Sequence, residues 1–219
     1  MEITTPAEIE RRSMEIIDAE LAARGLVLPE NSAAVIRRVI HTTADFDFAE
    51  RMRFTPHAVE LGARALKNGA VIVTDTNMAL AGVSKTALRA LGGEARCFMA
   101  EEPIARAARE QGTTRAVAAM DYALERYPKA VFAVGNAPTA LLRLAKHIEN
   151  GARPALVIGV PVGFVNVTES KEQALDACES AGVPAIVALG RKGGSSVAAA
   201  ICNALLYTAA DLLDPGTRA

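Results

Sequence analysis

From residue 70 onward, short apolar runs recur along the chain. They are Ala70–Thr74 (AVIVT), Ala95–Met99 (ARCFM), Ala130–Val134 (AVFAV), Ala155–Val160 (ALVIGV) and Ala185–Leu189 (AIVAL). They show none of the polar alternation that marks a strand with one wet face, so each suits a strand covered on both faces of a parallel sheet. Helix signals fill the gaps. Ser84 is placed to cap a helix that runs through Leu91 and stops at Gly92-Gly93. Pro103 suits a first helical turn, Ala116–Tyr127 is amphipathic, and Pro138 opens a helix ending near Asn150-Gly151. Lys171–Ser180 and Ser195–Leu213 complete the series. Strands alternating with helices predict an α/β fold, an open, mainly parallel five-stranded sheet flanked by helices.

Ahead of the first strand, Glu8–Leu21, Glu30–Ile40 and Pro56–Lys67 read as three helices, with Gly25–Pro29 and His41–Thr55 as separators. With no Ser/Gly-rich linker before the sheet, residues 1–219 are expected to form a single domain with an N-terminal helical lead-in.

The chain has 219 residues, 51% of them hydrophobic, and 24 Lys+Arg against 25 Asp+Glu leave a net charge of −1. That composition argues for a packed core, and the charge balance gives no global attraction to nucleic acid or anionic lipid. Cys97, Cys178 and Cys202 are scattered, without disulfide-framework or zinc spacing. A reducing cytoplasm is therefore the expected compartment. No secretory signal or membrane-spanning run is apparent.

In an open parallel sheet, ligands gather beyond the carboxyl ends of the strands. There the sequence places Asp75-Thr76-Asn77, Glu101-Glu102, Gly135–Pro138, Pro161–Phe164 and Gly190–Gly194. Leu189–Ser196 (LGRKGGSS) is the most suggestive: Arg191 and Lys192 add charge to the amides of Gly193 and Gly194. Such a loop suits a carboxylate or phosphate, and residue types alone suit an ordinary strand-to-helix turn equally. It lacks P-loop spacing, and GNAPTAL at Gly135–Leu141 lacks a dinucleotide fingerprint, so kinase and dehydrogenase readings lose support. Glu101-Glu102 better fits a helix start than an acid–base pair. Asp45 and Asp47 (ADFDF) have no His or Cys partner at ligand spacing, which favours capping or salt bridging over a metal.

His57 and His147 fit structural positions at a helix start and a helix end. His41 differs, because it closes the apolar run Val35–Ile40 with Arg38 one helical turn earlier. An imidazole beside a guanidinium calls for an anion between them, and the guanidinium would lower the histidine's pKa into a range useful for proton exchange. A capping histidine beside a surface arginine remains the plainer alternative.

Several longer stretches carry a resemblance. Arg38–Phe48 (RVIHTTADFDF), Val73–Gly82 (VTDTNMALAG), Ala133–Leu141 (AVGNAPTAL), Gly159–Lys171 (GVPVGFVNVTESK) and Gly190–Asn203 (GRKGGSSVAAAICN) resemble, in order, the precorrin-8X methylmutase family of corrin biosynthesis. Thr42-Thr43-Ala44-Asp45 looks more like the enzymes of the cobalt-early route.

The resemblance implies an isomerase that moves a methyl group from ring carbon 11 to carbon 12 of precorrin-8 or its cobalt complex, giving hydrogenobyrinic or cobyrinic acid. It implies no cofactor and no protein-bound metal. His41 takes the place of the family's proton donor and acceptor. Ser13 and Arg38 fall on substrate-contacting positions, and Arg115 resembles a third. Ser13 shares a helix face with Ile9, Ile16 and Ile17, so its hydroxyl is expected to face the interior or a pocket, unless it bonds back to its own helix. A polycarboxylate substrate would also account for Arg191, Gly193 and Gly194. The resemblance further implies a homodimer. A non-catalytic corrinoid carrier and an S-adenosylmethionine-dependent methyltransferase are the competing classes; the latter lacks a glycine-rich donor motif.

Overall fold

The computed structural model describes residues 5–218. The elements, in chain order, are α1 (Pro6–Ala23), α2 (Ala33–Thr43), α3 (Phe48–Arg51), β1 (Met52–Phe54), α4 (Ala58–Lys67), β2 (Ile72–Thr74), α5 (Asn77–Gly82), α6 (Lys85–Leu91) and β3 (Ala95–Arg96). They continue with α7 (Glu102–Glu110), α8 (Arg115–Arg126), β4 (Val131–Val134), α9 (Pro138–Glu149), β5 (Leu156–Gly159), α10 (Val167–Ala181), β6 (Ala185–Ala188) and α11 (Ser195–Ala209), then a 3-10 turn at Pro215–Thr217.

The sheet has the order β1-β6-β5-β4-β2-β3. All pairings are parallel except β1 with β6, where Met52 faces Ala188 and Phe54 faces Ile186. The architecture is the expected open α/β sheet, with six strands where five were expected. The extra strand lies in the segment taken as a separator. At three residues it is too short to show a period, and only its pairing with β6 defines it.

Period-two alternation distributes the buried strand residues between two cores. Val131, Ala133, Leu156, Ile158 and Ile186 face one side, packed under α1, α2, α4 and α11. Phe132, Val134, Val157 and Val187 face the other, under α7, α8, α9 and α10. Both faces of β2, β4, β5 and β6 are covered, which is why those strands carry no polar alternation, whereas the edge strands β1 and β3 expose Arg53 and Arg96.

Local rules account for the helix ends. Thr5 and Glu8 form a reciprocal capping box at α1, Ser84 Oγ accepts from Ala87 N at 3.3 Å, and Gly92 ends α6 at φ +60°. The final helix stops at Ala209 rather than Leu213, and α10 begins at Val167 rather than Lys171.

Candidate active site

In this topology the chain reverses direction between β2 and β4, and nucleotide-binding sheets of this kind take phosphates at that crevice. Here the chain fills it with its own carboxylate. Asp75, buried just beyond β2, accepts from the amides of Gly135 (2.8 Å), Asn136 (2.8 Å) and Ala137 (2.7 Å). Burial pushes its pKa up, and the three amides pull it back part of the way. Beside it, the Thr76 and Ser195 hydroxyls meet at 2.8 Å. A Cβ on Gly135 would come within 2.8 Å of Ser195 Cα, so this crossing needs glycine. Asp75 is a clamp on the β4–α9 loop rather than part of an open pocket.

His41 lies in the last turn of α2, half-buried, and among the described residues neither ring nitrogen has a hydrogen-bond partner. One turn earlier, Arg38 pairs with Glu10 of α1 at 2.5 Å. The same Glu10 oxygen accepts from Arg218, beyond the 3-10 turn, at 2.6 Å. Arg218 stacks on Tyr207 with its guanidinium carbon 3.9 Å from the ring centroid, and Arg38 approaches that ring at 5.2 Å. Burial first, then the Arg38 guanidinium, holds His41 below the ordinary histidine range; Glu10 works against them and Arg218 with them. Burial raises Glu10, but hydrogen bonds from Arg38 and Arg218 outweigh it and leave its pKa below the usual carboxylate range. The anion called for by the His41–Arg38 spacing is therefore Glu10. Two guanidiniums against one carboxylate leave the cluster with room for another anion. A groove of about 300 Å³ opens beside it, lined by Glu10, Met14, Arg37, Arg38, Tyr207 and Leu213 among others.

Ser13 lies one turn from Glu10 on α1, so the Glu10–Arg38 pair brings Ser13, Arg38 and His41 to one junction of two helices. Its hydroxyl donates to the Ile9 carbonyl at 2.8 Å, and the side chain is only partly covered. Of the two expectations for Ser13, the structure shows the bond back to its own helix, and the face it shares is largely open: Ile9 and Ile16 are 50% and 51% exposed, and only Ile17 is buried.

The glycine loop joins the same end of the sheet. Lys192 Nζ bonds Asp45 at 2.6 Å and Asp47 at 2.8 Å, tying the loop to the residues that follow α2. Those aspartates therefore serve as ion-pair partners, and Lys192 is not free for a ligand. Arg191 is exposed and lies 5.5 Å from the Phe164 ring centroid. Gly193 and Gly194 lead into α11, with Gly194 N donating to Val160 O at 2.8 Å. Arg115 is not brought to this cluster. It begins α8 on the opposite face of the sheet, exposed, beside the Thr114–Thr139 contact near the end of β4. His57 is exposed at the start of α4, and His147 pairs with Asp121 at 2.6 Å, so neither is held against the His41 cluster. Among the described residues no group of three or more His, Cys, Asp or Glu is placed to hold a metal ion.

Sequence reasoning passed over Glu10, Arg218 and Tyr207. Glu10 was accessible in principle, as a carboxylate three residues before Ser13 on one helix face. Arg218 and Tyr207 reach the site only through the path of the chain after α11.

An open α/β sheet with a half-buried imidazole beside a two-guanidinium cluster, and a glycine-rich loop after β6, is an arrangement suited to an anionic ligand. Residues 8–208 match the family description "Precorrin-8X methylmutase". The cobalt-precorrin-8 methylmutase of Salmonella typhimurium is 50% identical over 175 residues, covering 80% of each chain. The precorrin-8X methylmutase of Pseudomonas aeruginosa is 40% identical over 198 residues, covering 90% of this chain and 93% of that one. A crystal structure of precorrin-8X methylmutase from Thermus thermophilus superposes with a TM-score of 0.83 at 42% identity, over 93% of this chain and 98% of that one. The chain belongs to the precorrin-8X methylmutase family, and it is an isomerase.

Proposed function

We propose that the protein moves the methyl group on ring carbon 11 of precorrin-8 to carbon 12, with the cobalt complex as natural substrate and cobyrinic acid as product. Half-identity to a relative named for the cobalt form supports that choice of substrate. The step is an isomerisation: the bond from the methyl group to carbon 11 breaks, its bond to carbon 12 forms, and a proton lent to the macrocycle is returned. His41 is the group that lends it. The observation that carries this assignment is a half-buried imidazole that has no hydrogen-bond partner among the described residues, where burial and the Arg38 guanidinium make its conjugate acid a stronger one that gives up its proton readily.

Arg38 receives a peripheral carboxylate of the substrate, with the Ser13 hydroxyl one turn from the Glu10 partner of that arginine. The groove there has room for an acid-bearing arm rather than for the ring. Arg191, with Gly193 and Gly194, receives a second carboxylate, and Arg115 serves at the rim of the strand ends. Held at several points, the macrocycle presents the migrating group in one orientation. We take residues 1–219 as one catalytic domain acting as a homodimer in the cytoplasm. Among the described residues no helix is long and apolar enough to cross a membrane.

An absorption time course of the purified protein with precorrin-8, with and without cobalt and with nothing else added, tests the reading. Methyl migration alters the conjugation of the ring, so turnover appears as a new spectrum. A binding shift with the methyl group still on carbon 11 by NMR would reduce the protein to a corrinoid carrier. Light scattering at micromolar concentration checks the dimer.

A further inference from the structure

Lys171, in the second turn of α10, is fully buried, and among the described residues no carboxylate reaches its ammonium. Burying an ammonium without a counter-charge is costly, and here burial pulls its pKa down to about 8. Its Nζ spends its hydrogen bonds on two backbone carbonyls of the glycine loop, Gly190 O and Lys192 O, each at 2.7 Å.

That choice of partners has a stereochemical consequence. In a planar trans peptide, the N–H of one residue points opposite to the C=O of the residue before it. Turning the Gly190 and Lys192 carbonyls inward to Lys171 therefore turns the Arg191 and Gly193 amides outward. Neither N–H has an acceptor among the described residues. The rest of the loop is pinned: the Arg191 carbonyl accepts from Gly163 N at 3.2 Å, and Gly194 N donates to Val160 O at 2.8 Å. A Cβ on Gly193 would lie 2.1 Å from Val160 O, so the backbone can take this path only with glycine there.

We infer that Lys171 is a positioning residue for substrate binding: by holding two carbonyls inward, it presents the Arg191 and Gly193 amides, with the Arg191 guanidinium beside them, as a seat for one peripheral carboxylate of the corrin precursor. This rests on the substrate proposed above. Lys171 touches neither the ring nor the migrating methyl group, so its effect falls on binding.

The test is steady-state kinetics of Lys171→Met and Arg191→Met with cobalt-precorrin-8, after both variants are shown to unfold cooperatively. Each is expected to raise KM about tenfold or more, the scale of a lost charge-assisted hydrogen bond, with kcat within about threefold of the parent. The double variant is expected to fall short of the product of the two effects, because both act on one seat. An unmoved KM in Lys171→Met, or a loss of kcat larger than the rise in KM, overturns the inference. If Lys171→Met does not fold, the 15N-labelled parent decides: adding cobyrinic acid must shift the Arg191 and Gly193 amide resonances, and unshifted amides overturn it. Absence of turnover by the parent protein would instead sink the proposed function, so the two failures are distinguishable.

Discussion

Lys192 and Asp45, 147 residues apart in the chain, meet at 2.6 Å and tie the glycine loop before α11 to the turn after the helix that carries His41. The proposed proton-transfer group and the proposed carboxylate seat thereby share one joint. Both partners are solvent-accessible, so the pair matters for register more than for stability. Lys192→Met is expected to leave the thermal midpoint within experimental error and to raise KM. A midpoint that collapses with the substitution would show that the joint holds up the fold itself.

His41→Gln keeps the side chain's size and polarity and removes its proton-transfer capacity. Turnover is expected to fall by about 10²–10⁴, the usual worth of a general acid. Binding of cobyrinic acid, followed by absorption, should stay within a few-fold of the parent. Undiminished isomerisation would take His41 out of the mechanism.

The pH dependence carries a sign. His41 in the free protein titrates below the ordinary histidine value of 6.5, so its acid form is lost as pH rises through that lowered value. The log of kcat/KM is expected to decline with a midpoint below 6.5. A carboxylate bound beside Arg38 adds negative charge near the imidazole, so the limb in kcat should lie at higher pH than the limb in kcat/KM. For stability, an imidazole held neutral in the fold penalises the folded state once pH falls below the unfolded value near 6.5. Coincident limbs in kcat and kcat/KM would mean that no anion is delivered to the cluster.

Glu10 supplies a second handle. Its pKa is lowered, so the stability it lends is present above the ordinary glutamate value of 4.5 and is lost as pH falls through the lowered one. Glu10→Gln should remove that acid limb and cost about 1–2 kcal/mol at neutral pH, tempered because 21% of the side chain stays exposed. It should also push the His41 midpoint lower still, since Glu10 is the group that raises it. An unchanged midpoint would place Glu10 outside the electrostatics of His41.

The parts of this arrangement that the sequence disclosed are those with a local cause. Buried strands announce themselves as unbroken apolar runs, Ser84 and Gly92 bracket their helix, and Arg38 and His41 share a face by helical spacing alone. What stayed hidden depends on contacts between distant segments. β1 exists only through β6, Lys192 looked available until Asp45 and Asp47 took it, and Arg218 reaches Glu10 across 208 residues. The surroundings of Ser13 differ from expectation because Ile9 and Ile16 suggested a buried face, whereas α1 lies at the edge of the helical layer with that side half open. An apolar stripe gives a helix's direction of burial, but not whether another layer covers it.

Asp75 offers a test of the crevice between β2 and β4. Its Oδ1 accepts from Gly135, and its Oδ2 accepts from Asn136 and Ala137. Asp75→Ala strips three amides of their acceptors, the Gly135 amide buried and the other two partly so, and is expected to destabilise the protein by about 2–3 kcal/mol in chemical denaturation. Asp75→Asn should cost less: its single carbonyl oxygen can serve the Asn136 and Ala137 amides, but its NH₂ then faces the Gly135 N–H, donor against donor. Hydrogen exchange should locate the damage, with protection lost first at Gly135–Ala137 and the adjoining start of α9, while β5 and β6 exchange as before. Because Gly135 packs within contact of Ser195, loosening there should also reach the first turn of α11 and weaken substrate binding through the neighbouring glycine loop. Full protection at Gly135–Ala137 in Asp75→Ala would show that the loop holds its shape without the carboxylate and that the crevice is shaped by packing alone.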